Sequence, residues 1–342
     1  MPETILKEAT DGRVTVMDVA RAAGVSYGVA ADILREKTRY TYREETIARV
    51  KQTAGELSYR PSRVAQALTS GRTHQIALCL PNFGTSYTTQ LIRAFDRQAR
   101  DTPYDLLIVS HQAMERQDVT ADGVLWHGSS HRGRGNSALP TIVFGTSFNN
   151  VSREDYCCDT VLVNLKEASI AVMKHYVEQG LQRILLVTSK SMLNSHEPRA
   201  VAYKEVMKKA GLLEEIVIFD APREEYIRER VQKQLQKYFL KKGFPDAMFC
   251  SNDDVAIAAY RVLREAGKSI PDQIAVSGCD DIEESQDLSP SLTSIHIPFD
   301  EMAAQSWKLL MQRLDKPNEP YQHYSFQADL VIRESSCQYT KN

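Results

Sequence analysis

The chain has 342 residues, of which 42% are hydrophobic and 25% are charged, and its formal net charge is −2. At about 150 residues per domain, this length predicts two domains, or two and a small third, and the composition excludes a mostly disordered chain. No stretch approaches about 18 consecutive apolar residues and no secretory signal is visible, so we expect no membrane span and a cytoplasmic location. Six cysteines without zinc-type spacing predict reduced, mostly buried thiols and no metal site.

The near-neutral total hides an uneven distribution of charge. Residues 13–72 carry eleven basic and six acidic side chains, a surplus of five positive charges. Residues 1–12 carry a surplus of two negative charges, and residues 73–342 carry a surplus of five negative charges. A basic N-terminal module therefore precedes an acidic body, and this polarity favours a polyanionic partner for the N-terminal end alone.

The basic segment predicts three short helices. Thr15 can cap the first helix, with Asp18 at the acidic position of a capping box, and Gly24 ends it. Ser26 can cap a second helix, and a third spans about 44–57. Two short helices joined by a Gly-Val-Ser turn are typical of a helix-turn-helix.

A marginal helix follows this module. Pro61 halts the chain, and residues 62–71 form a helical pattern too short to be stable without a surface to pack on. At a hinge between a DNA-binding head and a body, DNA could supply that surface. The predicted organisation is a tail at 1–12, a helix-turn-helix domain at 13–60, a hinge at 61–73 and a body at 74–342.

The motifs VTVMDVARAAGVS and ELSYRPSRVAQALTSGRT, with later motifs in the body, resemble the lactose/galactose-repressor family of bacterial transcription regulators. The resemblance implies a homodimer, or a tetramer, on a pseudo-palindromic double-stranded DNA operator, with the second helix in the major groove. It also implies paired hinge helices in the minor groove, where Leu68 would wedge between base steps. The DNA-facing residues implied are Thr15, Ser26, Tyr27, Gly28, Ala31, Asp32, Arg39, Tyr59, Arg63, Ala65 and Leu68.

The predicted recognition helix departs from the family pattern. Gly28 offers no side chain at an exposed position, and Asp32 stands where the family usually has an arginine that reads guanine. Asp32 either accepts from a base, such as a cytosine amino group, or is solvated or paired with Arg35 or Arg39. The operator sequence therefore cannot be transferred from relatives.

The body alternates apolar runs of strand length with amphipathic segments. This alternation predicts parallel sheets covered by helices on both faces, in two α/β lobes. The resemblance implies a periplasmic-binding-protein-like effector domain, with an N-lobe at about 74–180 and 294–318 and a C-lobe at about 181–293 and 319–342. The predicted strands lie at 76–80, 106–109, 124–126, 141–144, 184–187, 216–219, 247–250 and 274–276. The predicted helices lie at 87–100, 166–179, 198–210, 224–241, 253–266 and 299–314.

Ligands of such folds bind beyond the carboxyl ends of the strands, so the polar residues there are the candidate effector contacts. They are Tyr87, His127, Ser129, Arg199, Asn252, Asp253 and Asp280. The resemblance favours Arg199, Asn252 and Asp280, and an arginine facing an aspartate suits a hydroxyl-rich ligand such as a sugar or sugar derivative.

Structural roles compete with these assignments. Arg199 and Asp280 could form an interlobe salt bridge or a cap, and Asp253 is as well placed to cap a helix as to contact ligand. Tyr87 could form the pocket wall or pack between the lobes, and His127 could be merely hydrogen-bonded.

We do not expect an enzyme, because the sequence has no GxSxG, HExxH, P-loop or GxGxxG motif. No cofactor is expected either. We predict a ligand-controlled transcription regulator, and specifically a repressor. The alternative is a cytoplasmic small-molecule binding protein, or a regulator without a working effector site. The short segment between residues 109 and 124 has room for only one short helix, and this trimmed N-lobe keeps the alternative open.

Overall fold

The computed structural model describes residues 14–35, 41–61, 67, 71–116, 119–128, 139–146, 157–193, 197–220 and 227–337. The chain divides into two compact units, Met1–Thr73 and His74–Asn342. No helix in these described ranges is both long and apolar enough to cross a membrane.

The first unit contains the three predicted helices, α1 (Val16–Ala22), α2 (Tyr27–Leu34) and α3 (Glu44–Glu56). The Thr15–Asp18 capping box at the start of α1 is complete, and Val29 N donates to Ser26 Oγ at 3.4 Å to cap α2. Gly24 takes a φ of +65° in the turn between them, a conformation that glycine adopts without a Cβ penalty. The helices enclose a small apolar core of Val19, Ala20, Ala23, Ala30, Ile33, Val50 and Ala54.

The second unit contains twelve strands among its described residues. These are β1 (Gln75–Leu80), β2 (Asp105–Ser110), β3 (Gly123–His127), β4 (Thr141–Thr146), β5 (Asp159–Asn164), β6 (Ile184–Ser189), β7 (Glu215–Phe219), β8 (Ala247–Cys250), β9 (Ala275–Asp280), β10 (Thr293–His296), β11 (His323–Gln327) and β12 (Asp329–Val331). They form two six-stranded sheets, in the orders β11-β5-β4-β3-β1-β2 and β12-β10-β9-β8-β6-β7. Every pair is parallel except β10–β12.

The helices between the strands cover the sheets. They are α4 (Ser86–Ala99), α5 (His111–Glu115), α6 (Lys166–Glu178), α7 (Lys190–Leu193), α8 (Pro198–Ala210), α9 (Ile227–Lys242), α10 (Asp253–Glu265), α11 (Glu284–Asp287) and α12 (Phe299–Asp315). All eight predicted strands and all six predicted helices of the body are present, so the predicted fold class of a helical head and a two-lobed α/β body is confirmed. The segment between β2 and β3 holds only the five-residue α5 among its described residues.

The lobe boundaries differ from those expected. The chain leaves the N-lobe sheet after β5, because α6 packs on the C-lobe, where the Tyr176 hydroxyl donates to the carbonyl of Met248 in β8 at 3.1 Å. It returns after β10, and it crosses a third time between β11 and β12. The C-lobe therefore begins near residue 165 rather than 181, and β11 belongs to the N-lobe rather than the C-lobe.

Candidate functional site

A cavity of about 460 Å³ lies between the two lobes of the body, at the carboxyl ends of the strands. Parallel strands end at the same edge of a sheet, so residues far apart in sequence converge there. The N-lobe contributes Pro81, Asn82, Thr85, Tyr87, Thr88, His127, Gly128 and Thr146. The C-lobe contributes Ser189, Met192, Glu197, Arg199, Phe219, Ile227, Ser251, Asn252 and Asp280.

Arg199 reaches this cavity already paired with a buried acid. Glu197 precedes α8, where its carboxylate accepts from Arg199 N at 3.1 Å and Ala200 N at 3.2 Å and so caps the helix. The same carboxylate accepts from Arg199 Nε at 2.5 Å, and Arg199 Nη1 donates to the Ser251 carbonyl at 2.5 Å. The backbone thus fixes Glu197, and Glu197 fixes the guanidinium before any ligand arrives. Glu197 was not predicted from the sequence, although an acid directly before a proline that starts a helix indicates a helix cap.

Asp280 ends β9 on the same wall of the cavity and is 4% exposed. Burial raises the pKa of its carboxyl well above the ordinary value, and the nearby charge of Asp253 raises it further, against the opposing effect of Arg199. Its φ of +114° is rarely adopted by residues with a side chain. The following residue is held by a hydrogen bond from Asp281 N to Ser294 Oγ at 3.1 Å, which helps to fix this turn.

Three cavity-lining residues carry buried polar atoms without a hydrogen-bond partner, and all three belong to the described part of the chain. They are Asn82 Oδ1, His127 Nδ1 and Ser251 Oγ. Buried polar atoms are normally hydrogen-bonded, so these three atoms are available to a polar molecule in the cavity. Asn82 and Ser251 were not predicted, although Ser251 directly follows a predicted strand and only Pro81 separates Asn82 from another.

Tyr87 and His127 form one unit in the N-lobe wall. Their Tyr87 Oη and His127 Nε2 atoms lie 2.9 Å apart, and the Tyr87 ring meets Phe299 edge-on at 5.3 Å. Burial lowers the pKa of His127 to about 4, and the nearby His111 adds to this, so the imidazole is neutral at pH 7. Tyr87 therefore lines the cavity and packs within its own lobe rather than between lobes.

Asn252 and Asp253 are neighbours in sequence with different surroundings. Asn252 lines the cavity and also caps α10, because its Oδ1 accepts from Val255 N at 2.9 Å. The Asp253 carboxylate turns into the C-lobe, where it accepts from Ser294 Oγ, Ser285 Oγ and Ile282 N. Asp253 is neither the helix cap nor a lining residue of this cavity, because its side chain joins the C-lobe loops instead.

The next residue, Asp254, connects the two lobes. Its carboxylate accepts from Ser86 N at 3.0 Å and Ser86 Oγ at 3.3 Å, at the start of α4 in the N-lobe. It also pairs with Arg228 Nη2 at 2.6 Å within the C-lobe. A second interlobe pair, Arg93 with Glu283 at 3.0 Å, is exposed to solvent. The sequence reading did not single out Asp254.

The head presents only part of the predicted DNA-facing set. Tyr27 is 49% exposed and Gly28 is also exposed, and both lie in the first turn of α2. Ala31 is buried within the head, so its side chain is not available to a DNA groove. Tyr59 is half-buried and packs against the head core.

Asp32 is paired, but with a different partner from those expected. The Tyr42 hydroxyl donates to its Oδ2 at 2.9 Å. The predictions for Arg39, Arg63, Ala65, Leu68 and Ser129 lie outside the described residues.

Residues 173–336 match the family model of a periplasmic binding protein-like domain. Across 94% of the chain, it is 25% identical to the HTH-type transcriptional repressor PurR of Photobacterium profundum, covering 98% of that protein. It is 27% identical to the ribose operon repressor of Escherichia coli K12, again over 94% of the chain and covering 99% of that repressor. Together these matches support a transcription regulator of the LacI family.

Solved structures agree with this assignment at the level of fold. A LacI-family regulator from Silicibacter pomeroyi matches 94% of the chain and 99% of its own length, with a TM-score of 0.79 and 20% identity. The lac repressor dimer bound to operator and an anti-inducer matches 95% of the chain and 99% of its own length, with a TM-score of 0.76 and 20% identity. The relatives are named transcription repressors and regulators, which supports a transcription regulator rather than an enzyme.

Proposed function

We propose that this chain is a LacI-family repressor that binds a pseudo-palindromic operator as a homodimer, in the cytoplasm where the nucleoid lies. A small, neutral, hydroxyl-rich molecule, a sugar or sugar derivative, controls it from the interlobe cleft. The observation that carries the proposal is the cleft itself, where Arg199 and Asp280 lie beside the unpartnered polar atoms of Asn82 and Ser251. Hydroxyl groups both donate and accept, so one ligand of this class can satisfy all four residues.

The charge balance of the cleft favours a neutral ligand over a phosphorylated one. Arg199 is the sole cationic side chain among the described lining residues, since His127 is neutral at pH 7. Its charge is already balanced by the buried carboxylate of Glu197. A phosphate group placed here would lose its hydration without gaining a free counter-charge.

A thermal-shift screen on the full chain tests the effector. A ligand that binds the native state raises the melting temperature, with a stabilisation of about 2.7 kcal/mol at 100 times its Kd. We expect neutral sugars to produce a shift and sugar phosphates and nucleosides to produce none. Asp280→Asn should reduce the shift, whereas Arg93→Ala, a remote interlobe change, should preserve it. A shift from sugar phosphates alone would contradict the proposed ligand class.

DNA binding is tested separately with duplexes selected from a random pool. Affinity for the selected duplex should fall steeply with salt, because bound phosphates release counterions. Leu68, proposed to wedge between base steps, should be required for operator affinity and not for sugar binding. Unchanged operator affinity of Leu68→Ala would refute the hinge assignment. Failure of the full chain to enrich any duplex at low salt would favour the alternative of a binding protein without DNA function.

Exposed edge strands support the dimer. β2 and β7 are the free edges at corresponding ends of the two sheets. They carry Ile108 and Ile218, which are 41% and 42% exposed. Such apolar edges are normally covered in a native assembly. Sedimentation equilibrium should give the mass of two chains, and Ile218→Glu should weaken the association.

A further inference from the structure

A hydrogen bond from Tyr42 engages the carboxylate of Asp32 in the second half of α2, the proposed recognition helix. Asp32 lies in the last turn of α2, flanked by the buried residues Ala31 and Ile33, and is itself half-buried. Its Oδ2 accepts from the Tyr42 hydroxyl at 2.9 Å. A carboxylate that already accepts a partly buried hydrogen bond must give up that bond before it can accept one from a base.

Tyr42 ties this carboxylate to the entrance of the third helix. Its ring packs against the head core, and it directly precedes Arg43, the N-cap residue of α3. The hydrogen bond therefore joins the end of α2 to the beginning of α3 across the connecting segment. Arg43 is exposed, so its position relative to α2 depends on where Tyr42 is held.

We infer that Asp32 is a positioning residue that acts through Tyr42, and that α2 reads bases from its first turn, where Tyr27 and Gly28 are exposed. Asp32 holds the start of α3 and the charge of Arg43 in a fixed place beside the recognition helix. The bond also keeps the carboxylate off the phosphates, whose negative charge would repel it. This inference rests on the proposed DNA-binding function.

The experiment uses the full chain and a duplex that it has selected from a random pool. Asp32→Ala and Tyr42→Phe each remove the hydrogen bond, and each should weaken binding by about tenfold, as expected for one bond to a charged acceptor. The double variant should bind no more weakly than either single variant, because both remove the same interaction. Asp32→Asn keeps an acceptor for Tyr42 and should restore binding to within about twofold of wild type.

The base preference of each variant separates positioning from reading. Under the inference, the preferred base at every operator position is the same for wild type, Asp32→Ala and Tyr42→Phe. Tyr27→Ala is the matched control, and it should change the preference at one position. A changed preference in Asp32→Ala or Asp32→Asn would overturn the inference and make Asp32 a base reader, and so would unchanged affinity in Tyr42→Phe. If the wild type selects no duplex, the proposed function fails and this inference fails with it.

Discussion

Asp254→Ala should loosen the two lobes of the body while leaving each lobe folded. The substitution removes the acceptor of two interlobe hydrogen bonds, from Ser86 N and Ser86 Oγ. Bonds to a charged, buried acceptor contribute about 1.5–3 kcal/mol each, and the longer second bond argues for the lower end. A loss of about 3 kcal/mol corresponds to about a 100-fold shift toward lobes that are not bridged. The Arg228 pair does not enter this sum because it lies within the C-lobe.

Amide hydrogen exchange measures this shift at the bond itself. The Ser86 amide should be protected in the wild type and exchange about 100-fold faster in Asp254→Ala, without a matching change in the β-strand amides of either lobe. Arg93→Ala is the control, since its interlobe pair with Glu283 has side chains that are 55% and 73% exposed. Such a pair contributes at most about 1 kcal/mol, so the control should change exchange by less than about fivefold. Equal Ser86 exchange rates in wild type and Asp254→Ala would refute the bridge.

Three further outcomes follow from other parts of the molecule. A Cβ at Gly28 would meet no atom within 4 Å, so Gly28→Ala should stabilise the head by about 0.5–1 kcal/mol in a denaturant titration, and a loss of stability would contradict that. The hydrogen bond to Asp281 raises the pKa of His296, so its contribution to stability is complete below about pH 6.5 and is lost as pH rises through the raised value. Urea midpoints of wild type should therefore fall relative to those of His296→Gln between about pH 5.5 and about pH 8.5, and a constant difference would exclude the effect. The exposed thiols of Cys157 and Cys337 should react with a thiol reagent in the native protein, and the four buried ones only after unfolding.

The elements of the body could be predicted because buried parallel strands are continuous apolar runs. β5, β10, β11 and β12 escaped prediction, and β11 carries side chains that are exposed or only half-buried along its length. The lobe boundaries could not be read from the same pattern. Two sheets built from similar apolar strands give no local signal of which one a strand or helix joins. That choice is made by distant partners, as when β11 pairs with β5.

The candidate site was predictable where it depended on strand ends and not where it depended on side-chain pairing. Arg199 and Asp280 lie at the cavity because the carboxyl ends of the strands converge there. Glu197 orders Arg199 through hydrogen bonds that no spacing rule specifies. The pairing of Asp32 in the head could not be predicted for the same reason, since its partner Tyr42 lies ten positions away in the sequence.

The N-cap and first turn of α10 join the interlobe cavity, the C-lobe interior and the N-lobe through three consecutive residues. Asn252 is the N-cap with an extended backbone, and the side chains of Asp253 and Asp254 on the helix point about 100° apart, so the three residues meet different surroundings. Asn252 lines the cavity, Asp253 binds the C-lobe loops and Asp254 binds Ser86 across the cleft. A ligand that contacts Asn252 therefore binds one turn of helix whose position is set by the interlobe bridge. It can shift the lobes only by its difference in affinity for the bridged and unbridged arrangements, and weakening the bridge must change ligand affinity by the same coupling.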